Sequence, residues 1–510
     1  MKNFLKVLSL ILAMLLFVTC FVACGGEKET DPEETETETE APKETEKLDE
    51  FGRPWIEDSV PTDVNYSGAE KNTITFFVRS GNQARQHELD VDELADDTLY
   101  DAIYNRNATV ESRLGVVITT IAQDSASGSQ ATLWNDTLRN AVNTKSGDFD
   151  AAALYASQGS PMALEGCYYN LLKIEELDLE KPWWNQDMIE GMEFFDTLFF
   201  LGGSLLITEP MEAGALLFNK ALLEKYHPTV NLYDEVSNLE WTIDRLYDLS
   251  STVWEDTNTS GIIDDGDVVG FAGYGITSNT GYNDLWQSSM GVKIIEKAEN
   301  GIPELALYSE RTVSAYEKVS RLHIANAGAL PAPTENTKLA LGNVLFQSGR
   351  LGSTESLREM TDPYGVLPLP MYDKEQGRYY TASHAGCSIL GVLSSIEKDR
   401  LEMVGNTIEL MGAESYRQVV PKYFEVCLKS KYSADVEDAM IYDLIINSIV
   451  FDAGMVFGSK SIGGVNTLFR DLTIDFAQKY ESNKTAYETA LDKFVDSLDD
   501  ISFMLENAEE

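Results

Sequence analysis

The 510-residue chain is short of positive charge, of cysteine, of histidine and of long apolar runs. Each shortage excludes something. Lys and Arg number 39 against 84 Asp and Glu, a formal net charge of −45. Such a surface repels phosphate backbones, so nucleic-acid binding is disfavoured, as is electrostatic docking on anionic lipid. Five Cys are too few for a disulfide scaffold. The four His (His87, His227, His323, His384) are far apart, which leaves His-dependent nucleophilic or metal catalysis unsupported. There is no G-x-S-x-G elbow, no P-loop, no HExxH, and no G-x-G-x-x-G after a strand. The 36 Gly and 15 Pro exclude collagen-like and Pro-rich fibrous classes.

What is present begins with an address. Lys2 and Lys6 precede Val7 to Val18, a run of 12 residues that is apolar except for Ser9. A bilayer span needs about 20. Charge, short apolar core and then small residues is the pattern of a secretory signal peptide. It ends Phe21-Val22-Ala23-Cys24-Gly25-Gly26, which resembles a bacterial lipobox, with small Ala23 before the Cys. Residues 1–23 are therefore expected to be a lipoprotein signal and Cys24 the lipidated N-terminus. Cys20, preceded by Thr and followed by Phe, fits less well. Residues 27–50 hold 12 acidic and 3 basic side chains and almost nothing apolar. Such a segment cannot bury enough surface to offset its chain entropy, and like charges extend it. Residues 24–69 read as an acidic tether. Cys167, Cys387 and Cys427 remain, expected as buried thiols or at most one disulfide, with no metal site among them.

From residue 70 the patterning becomes that of an α/β protein. Asn72–Arg79 reads as a buried strand. Glu93–Leu114 carries Leu94, Leu99, Ile103, Val110 and Leu114 at helical spacing and is stopped by Gly115. Strands are expected at 116–121, 149–155, 213–218, 344–346, 365–369 and 387–393. Helices are expected at 131–142, 219–226, 242–253, 400–412, 435–450 and 483–504. Strands alternating with helices imply a mostly parallel sheet covered on both faces.

One loop has a checkable spacing. In Asp256–Asp267 side-chain oxygens fall at positions 1, 3, 5, 9 and 12: Asp256, Asn258, Ser260, Asp264 and Asp267. Gly261 stands at position 6, and Ile262 at position 7 offers a backbone carbonyl. This is the spacing of a calcium-binding EF-hand loop with Asp in place of the final Glu, and it predicts a structural Ca2+ site of reduced affinity.

Several phrases, in order, resemble the extracellular solute-binding proteins, family 1, of ABC importers, the maltose-binding-protein-like type. They are DAIYNRNATVESRLGVVI at 101–118, FDAAALY at 149–155, LEKPWWN at 179–185 and ALLFNKALLEKY at 215–226. Two more are LEWTIDRLYDLSSTVWEDTNTSGIIDDGDVVGF at 239–271 and YGVLPLPMYDKEQGRYY at 364–380. The likeness runs over about 70 to 505. It implies a two-lobed α/β fold of the type II periplasmic-binding-protein kind, with mixed sheets flanked by helices. Lobe 1 would be 70–208 with 380–412, lobe 2 would be 209–379, and 413–510 would be helices packed on lobe 2 and the hinge. The resemblance further implies a monomer held by lipid on the outer face of the cell membrane. It would capture a sugar or oligosaccharide by hinge closure and pass it to membrane permease subunits. No chemistry on the ligand is implied. A surface glycan-binding lipoprotein without a transporter, or an anchored polysaccharide hydrolase or lyase, is the alternative.

By position in that family, cleft groups sit at the carboxyl ends of sheet strands. This nominates Arg79 and Ser80, Tyr155 and Ser157, and Glu209 at a crossing between lobes. Trp286 in the Gly/Asn/Ser-rich stretch 273–291, Glu355 after Gly352-Ser353-Thr354, and Trp184 complete the set. Aromatic faces and planar polar groups suit sugars, which offer apolar ring faces and hydroxyls.

Overall fold

The computed structural model describes residues 47–48, 53–94, 97–125, 128–273, 282–330, 338–428, 436–458 and 460–507. The expected signal sequence, Cys24 and most of the expected tether lie outside them. Among the described residues no helix is long and apolar enough to cross a membrane. The described residues up to Trp55 belong to a unit of their own. In it Leu48 bridges Pro54, and the Lys47 ammonium sits 3.9 Å above the Trp55 ring.

The body, 56–510, is built on two sheets. In the first, Thr73–Ser80 is central. It pairs in parallel with Val117–Asp124 and with Ala151–Tyr155, and the last of these pairs antiparallel with Ser388–Val392. Thr73–Ser80, Ala151–Tyr155 and Ser388–Val392 are buried on both faces, hence their β-branched, aromatic and alanine content, while the edge strand Val117–Asp124 leaves Val117 and Ile121 exposed. Phe77 is sandwiched between Trp134 at 4.4 Å and Phe149 at 4.5 Å. Each such ring is worth about 1.5–3 kcal/mol by burial. The second sheet orders Tyr364–Pro368, Gly214–Asn219, Val344–Arg350, Val268–Ala272 and Trp254–Glu255. Trp241 packs on Phe346 in its core and donates its indole N–H to the Pro368 carbonyl at 3.1 Å.

The chain passes between the sheets where three segments lie side by side. Ala213 bridges Ser383, and Thr381–Ala382 pairs in parallel with Ile449–Val450. The C-terminal helix Phe476–Asn507 spans both halves. Tyr480 stacks on Tyr308 at 4.6 Å at one end, while Phe494 meets Phe194 and Ser502 bonds Thr197 toward the other.

Differences from the patterning have local causes. The helix expected from Glu93 starts at Thr98, because the Asp97 carboxylate accepts from Leu99 and Tyr100 N–H and caps it. It ends at Gly115 (φ +66°), in the left-handed conformation that glycine tolerates best. The strand expected at 344–346 runs on to Arg350, because Gln347–Arg350 pair with Gly214–Leu217 although they are polar or small. Residues 56–69, assigned to the tether by composition, pack on the body. Val60 is buried, and the Asp58 carboxylate pairs with Arg113 and Arg417.

Candidate functional site

The carboxyl ends of strands in the first sheet and one end of the antiparallel pair Gly214–Asn219 and Val344–Arg350 in the second contribute to one polar cluster. From the first sheet come Arg79, Ser80, Tyr155, Ser157 and, five residues past Ser80, Arg85. From the second come Arg350, at its strand's last position, and Glu212 just before Gly214. Tyr282, which opens the helix Tyr282–Ser289, and His384, in the crossover, complete it.

Glu212 is the hub. Its carboxylate accepts from Arg85 Nη2 at 3.2 Å and from Arg350 Nη1, with His384 Nδ1 at 3.5 Å. Burial alone would raise its pKa. The His384 hydrogen bond and the Arg350 charge outweigh that and hold the carboxyl down at about 2. The Arg85–Glu212 contact joins the first half to the start of the second. Above it the Tyr282 ring lies 5.2 Å from that of His384, and the Arg350 guanidinium lies 5.2 Å from the Tyr282 ring. Beside it Arg470 grips the buried Asp284 with a two-pronged ion pair.

Arg79 is buried beneath Tyr155, its guanidinium carbon 5.0 Å from the ring. Nη2 donates to the Gly386 carbonyl at 3.1 Å and the Ser388 hydroxyl at 2.7 Å. Nε and Nη1 have no hydrogen-bond partner among the described residues. The Ser388 hydroxyl donates its own hydrogen bond to Glu88, which also accepts from Thr208. Burial raises the Glu88 carboxyl above its ordinary range and lowers Arg79 to about 10, with the Arg85 charge adding to the latter.

The nominated residues divide. Tyr155, half-buried, and Ser157, buried, stand at the cluster, and Ser157 lines a small cavity of about 20 Å³ with Ser383, Cys387 and Phe451. Ser80 is half-buried at its strand's end. The other four are placed elsewhere. Trp286 is not in a loop. It lies within the helix 282–289 and is buried at 1% exposure against Phe271 and His323, because its ring faces the core side of that helix. Trp184 is buried and donates its indole N–H to Glu409 at 3.1 Å, far from the strand ends. Glu209 does lie on the crossing, in the short helix Thr208–Met211, but its carboxylate turns inward. It accepts from Asn185 at 2.7 Å and Gly203 N–H at 2.6 Å, and burial pushes it up to about 7. Glu355 is exposed on the 3-10 turn Leu351–Leu357. Cys167 and Cys387 are buried free thiols, and the Cys427 side chain lies outside the described residues.

A second cavity, of about 440 Å³, is lined by Asp187, Phe194, Lys293, Arg378 and Tyr380, with Phe451 and Asp452 shared with the small one. Val450, Phe451 and Asp452 of the crossover line it, whereas Arg79, Tyr155 and Arg350 do not.

In the loop Asp256–Asp267 five of the six foreseen donors draw together. Asp256 accepts from Ser260 and Gly261 N–H, Asn258 bonds Asp264 at 2.7 Å, and the Ser260 hydroxyl bonds the Ile262 carbonyl at 2.8 Å. Asp267 does not join them. Its oxygens accept from Trp254 Nε1, Thr257 N–H and Asp264 N–H. Accordingly, no three carboxylate, His or Cys side chains among the described residues form a metal-holding group.

No family model matches the chain, and no curated protein matches it in sequence. Solved structures do match. A cyclo/maltodextrin-binding protein complexed with maltotetraose has a TM-score of 0.52 at 12% identity, covering 86% of this chain and 97% of its own. An ABC transporter solute-binding protein from Thermotoga lettingae, bound with alpha-D-tagatose, has 0.50 at 16%, covering 85% and 100%. UgpB from Mycobacterium tuberculosis, in complex with glycerophosphocholine, has 0.54 at 12%, covering 84% and 100%. At identities this low the likeness is one of fold: the chain has the two-lobed α/β fold of the solute-binding proteins of ABC importers.

Proposed function

We propose that this chain is the solute-binding lipoprotein of an ABC importer and that it captures a sugar or oligosaccharide between its halves. The observation that carries the reading is the cluster itself: groups from the ends of both sheets meet, and Arg85 reaches across to Glu212. A solute lodged there touches both halves at once, so it binds the closed arrangement better than an open one and shifts the population toward closure. Tyr155 and Tyr282 supply ring faces, and the arginines supply planar donors. The matched structures hold maltotetraose, tagatose and glycerophosphocholine, which supports a small polar solute. The lobe boundaries that go with this reading are 70–208 with 380–412, and 209–379. Cys24 would carry the lipid, residues beyond it would hold the body off the membrane, and permease subunits would read the closed form. The protein performs no chemistry on its cargo.

A thermal-shift screen against a carbohydrate panel, with recovery of the sugar afterwards, tests this. A raised melting temperature with unchanged sugar is expected. Release of products would replace the reading with a surface hydrolase or lyase.

We propose also that the loop 256–267 binds calcium through Asp256, Asn258, Ser260, Asp264 and the Ile262 carbonyl. With Asp267 turned away, affinity is expected in the millimolar range. Isothermal titration of chelated protein that shows no uptake there would remove it.

A further inference from the structure

The proposed site is unusual in charge for this chain. The whole sequence carries −45. Yet the cluster gathers the guanidinium groups of Arg79, Arg85 and Arg350 around the carboxylate of Glu212. Two of these cations are crowded onto one glycine. Arg79 Nη2 donates to the Gly386 carbonyl at 3.1 Å, and a Cβ on Gly386 would lie 2.8 Å from Arg85 Nη2. Like charges held this close are costly unless a counter-ion is shared or supplied. Glu212 serves Arg85 and Arg350. It does not serve Arg79, whose Nε and Nη1 are buried without a partner, and Arg350 Nε is likewise buried and unpartnered. The Glu88 charge acts on Arg79, but no hydrogen bond joins the two directly: Glu88 reaches it only by way of the Ser388 hydroxyl and leaves Nε and Nη1 without acceptors. Buried N–H groups left unpaired are destabilising, and guanidinium groups bind carboxylate and phosphate oxygens with two parallel hydrogen bonds.

We infer that the solute is an acidic one, a sugar carrying a carboxylate or a phosphate, and that its oxyanion is taken by Arg79, Arg85 and Arg350. This rests on the solute-binding reading above and narrows its substrate class. In the unliganded chain Glu212 satisfies part of the cluster. In the complex the solute's anion supplies acceptors that Glu212 does not reach.

The test compares matched probes by isothermal titration: glucuronate, glucose 6-phosphate and glucose, then galacturonate against galactose, and oligogalacturonate against maltotetraose. At least tenfold tighter binding of the acidic member of a pair is expected, with affinity falling as salt is raised from 20 to about 300 mM. Glucuronate or oligogalacturonate binding marks the carboxylate as the anion, and glucose 6-phosphate binding marks the phosphate. In Arg85→Gln, whose side chain is part-exposed, the acid-to-neutral ratio should collapse toward one while the unliganded melting temperature stays near that of the parent. The salt dependence, measured on the unmodified protein, stands even if the variant folds poorly. Neutral sugars binding as tightly as their acids would overturn the inference and leave the solute-binding reading intact. Binding of no panel member would overturn both.

Discussion

Two guanidinium groups, Arg79 and Arg106, are buried equally well and satisfied very differently. Arg106, on the buried face of the helix 98–114 at 0% exposure, spends every arm: Nε on Asn107, Nη1 on the Glu88 carbonyl and Ser415, Nη2 on the Leu89 carbonyl. Arg79, at 1% exposure and at a strand's carboxyl end, spends one arm and strands the rest. Burial lowers both to about 10, so both are charged at neutral pH. Burial and charge alone therefore do not separate scaffold from site. The number of unmet donors does: the first arginine holds a loop onto a helix, and the second lacks acceptors for two of its nitrogens among the described residues.

The contrast can be broken by substitution. Arg106→Met removes the donors of two backbone carbonyls and of the Asn107 amide, and should cost about 3 kcal/mol in denaturant unfolding. A loss under 1 kcal/mol would show that Arg106 is not an anchor. An effect of similar size belongs to Glu212, the counter-ion of the unfinished cluster. Its folded pKa, about 2, lies below its ordinary 4.5. Its contribution is thus fully present above pH 4.5 and is lost as pH falls from there toward 2, in total about 3 kcal/mol. Unfolding midpoints at pH 6 and pH 3 should converge in Glu212→Gln relative to the parent protein. An unchanged pH slope would contradict the hub assignment. Arg79→Met should cost much less than Arg106→Met, about 1 kcal/mol, because relief of the stranded N–H groups offsets the lost bonds to Gly386 and Ser388. It should nonetheless abolish solute binding. Equal destabilisation by the two arginine variants would end the comparison.

How much of this was readable from residues alone follows from the same contrast. The strand cores were legible because apolar runs bounded by turn residues need no partner to be recognised. Thr73–Ser80, Ala151–Tyr155 and Gly214–Asn219 fall within a residue or two of expectation. Arg79, Tyr155 and Ser157 were reachable from the rule that sites form at carboxyl ends of strands. Arg350 obeys that rule too. It was missed because the polar stretch Gln347-Ser348-Gly349 reads as loop until its pairing with Gly214–Leu217 is seen. Arg85, Glu212, Tyr282 and His384 carry no local signal. They join the site only through contacts such as Arg85 to Glu212, 127 positions apart in sequence. Trp184 and Trp286 misled for the converse reason: an aromatic in a polar context looks like a sugar platform, but the Trp286 helix turns it inward and Glu409 takes the Trp184 indole.

The calcium loop sharpens the lesson from the acceptor side. Asp267 is engaged by Trp254, Thr257 and the Asp264 N–H, whereas Asp256 accepts from the Ser260 and Gly261 N–H groups and Asp264 from Asn258 and Gly266, all within the loop. Calcium at its half-saturating concentration should stabilise the protein by about 0.4 kcal/mol, read as a small rise in melting temperature. Asp264→Ala should remove that rise.

The central claim is that a guest is held by both halves and draws them together. Small-angle X-ray scattering of the protein with and without a saturating amount of the tightest-binding sugar reads this directly. A smaller radius of gyration in the complex, with the sugar recovered intact, is the expected result. An unchanged scattering profile at saturation, or a sugar returned in altered form, would contradict it.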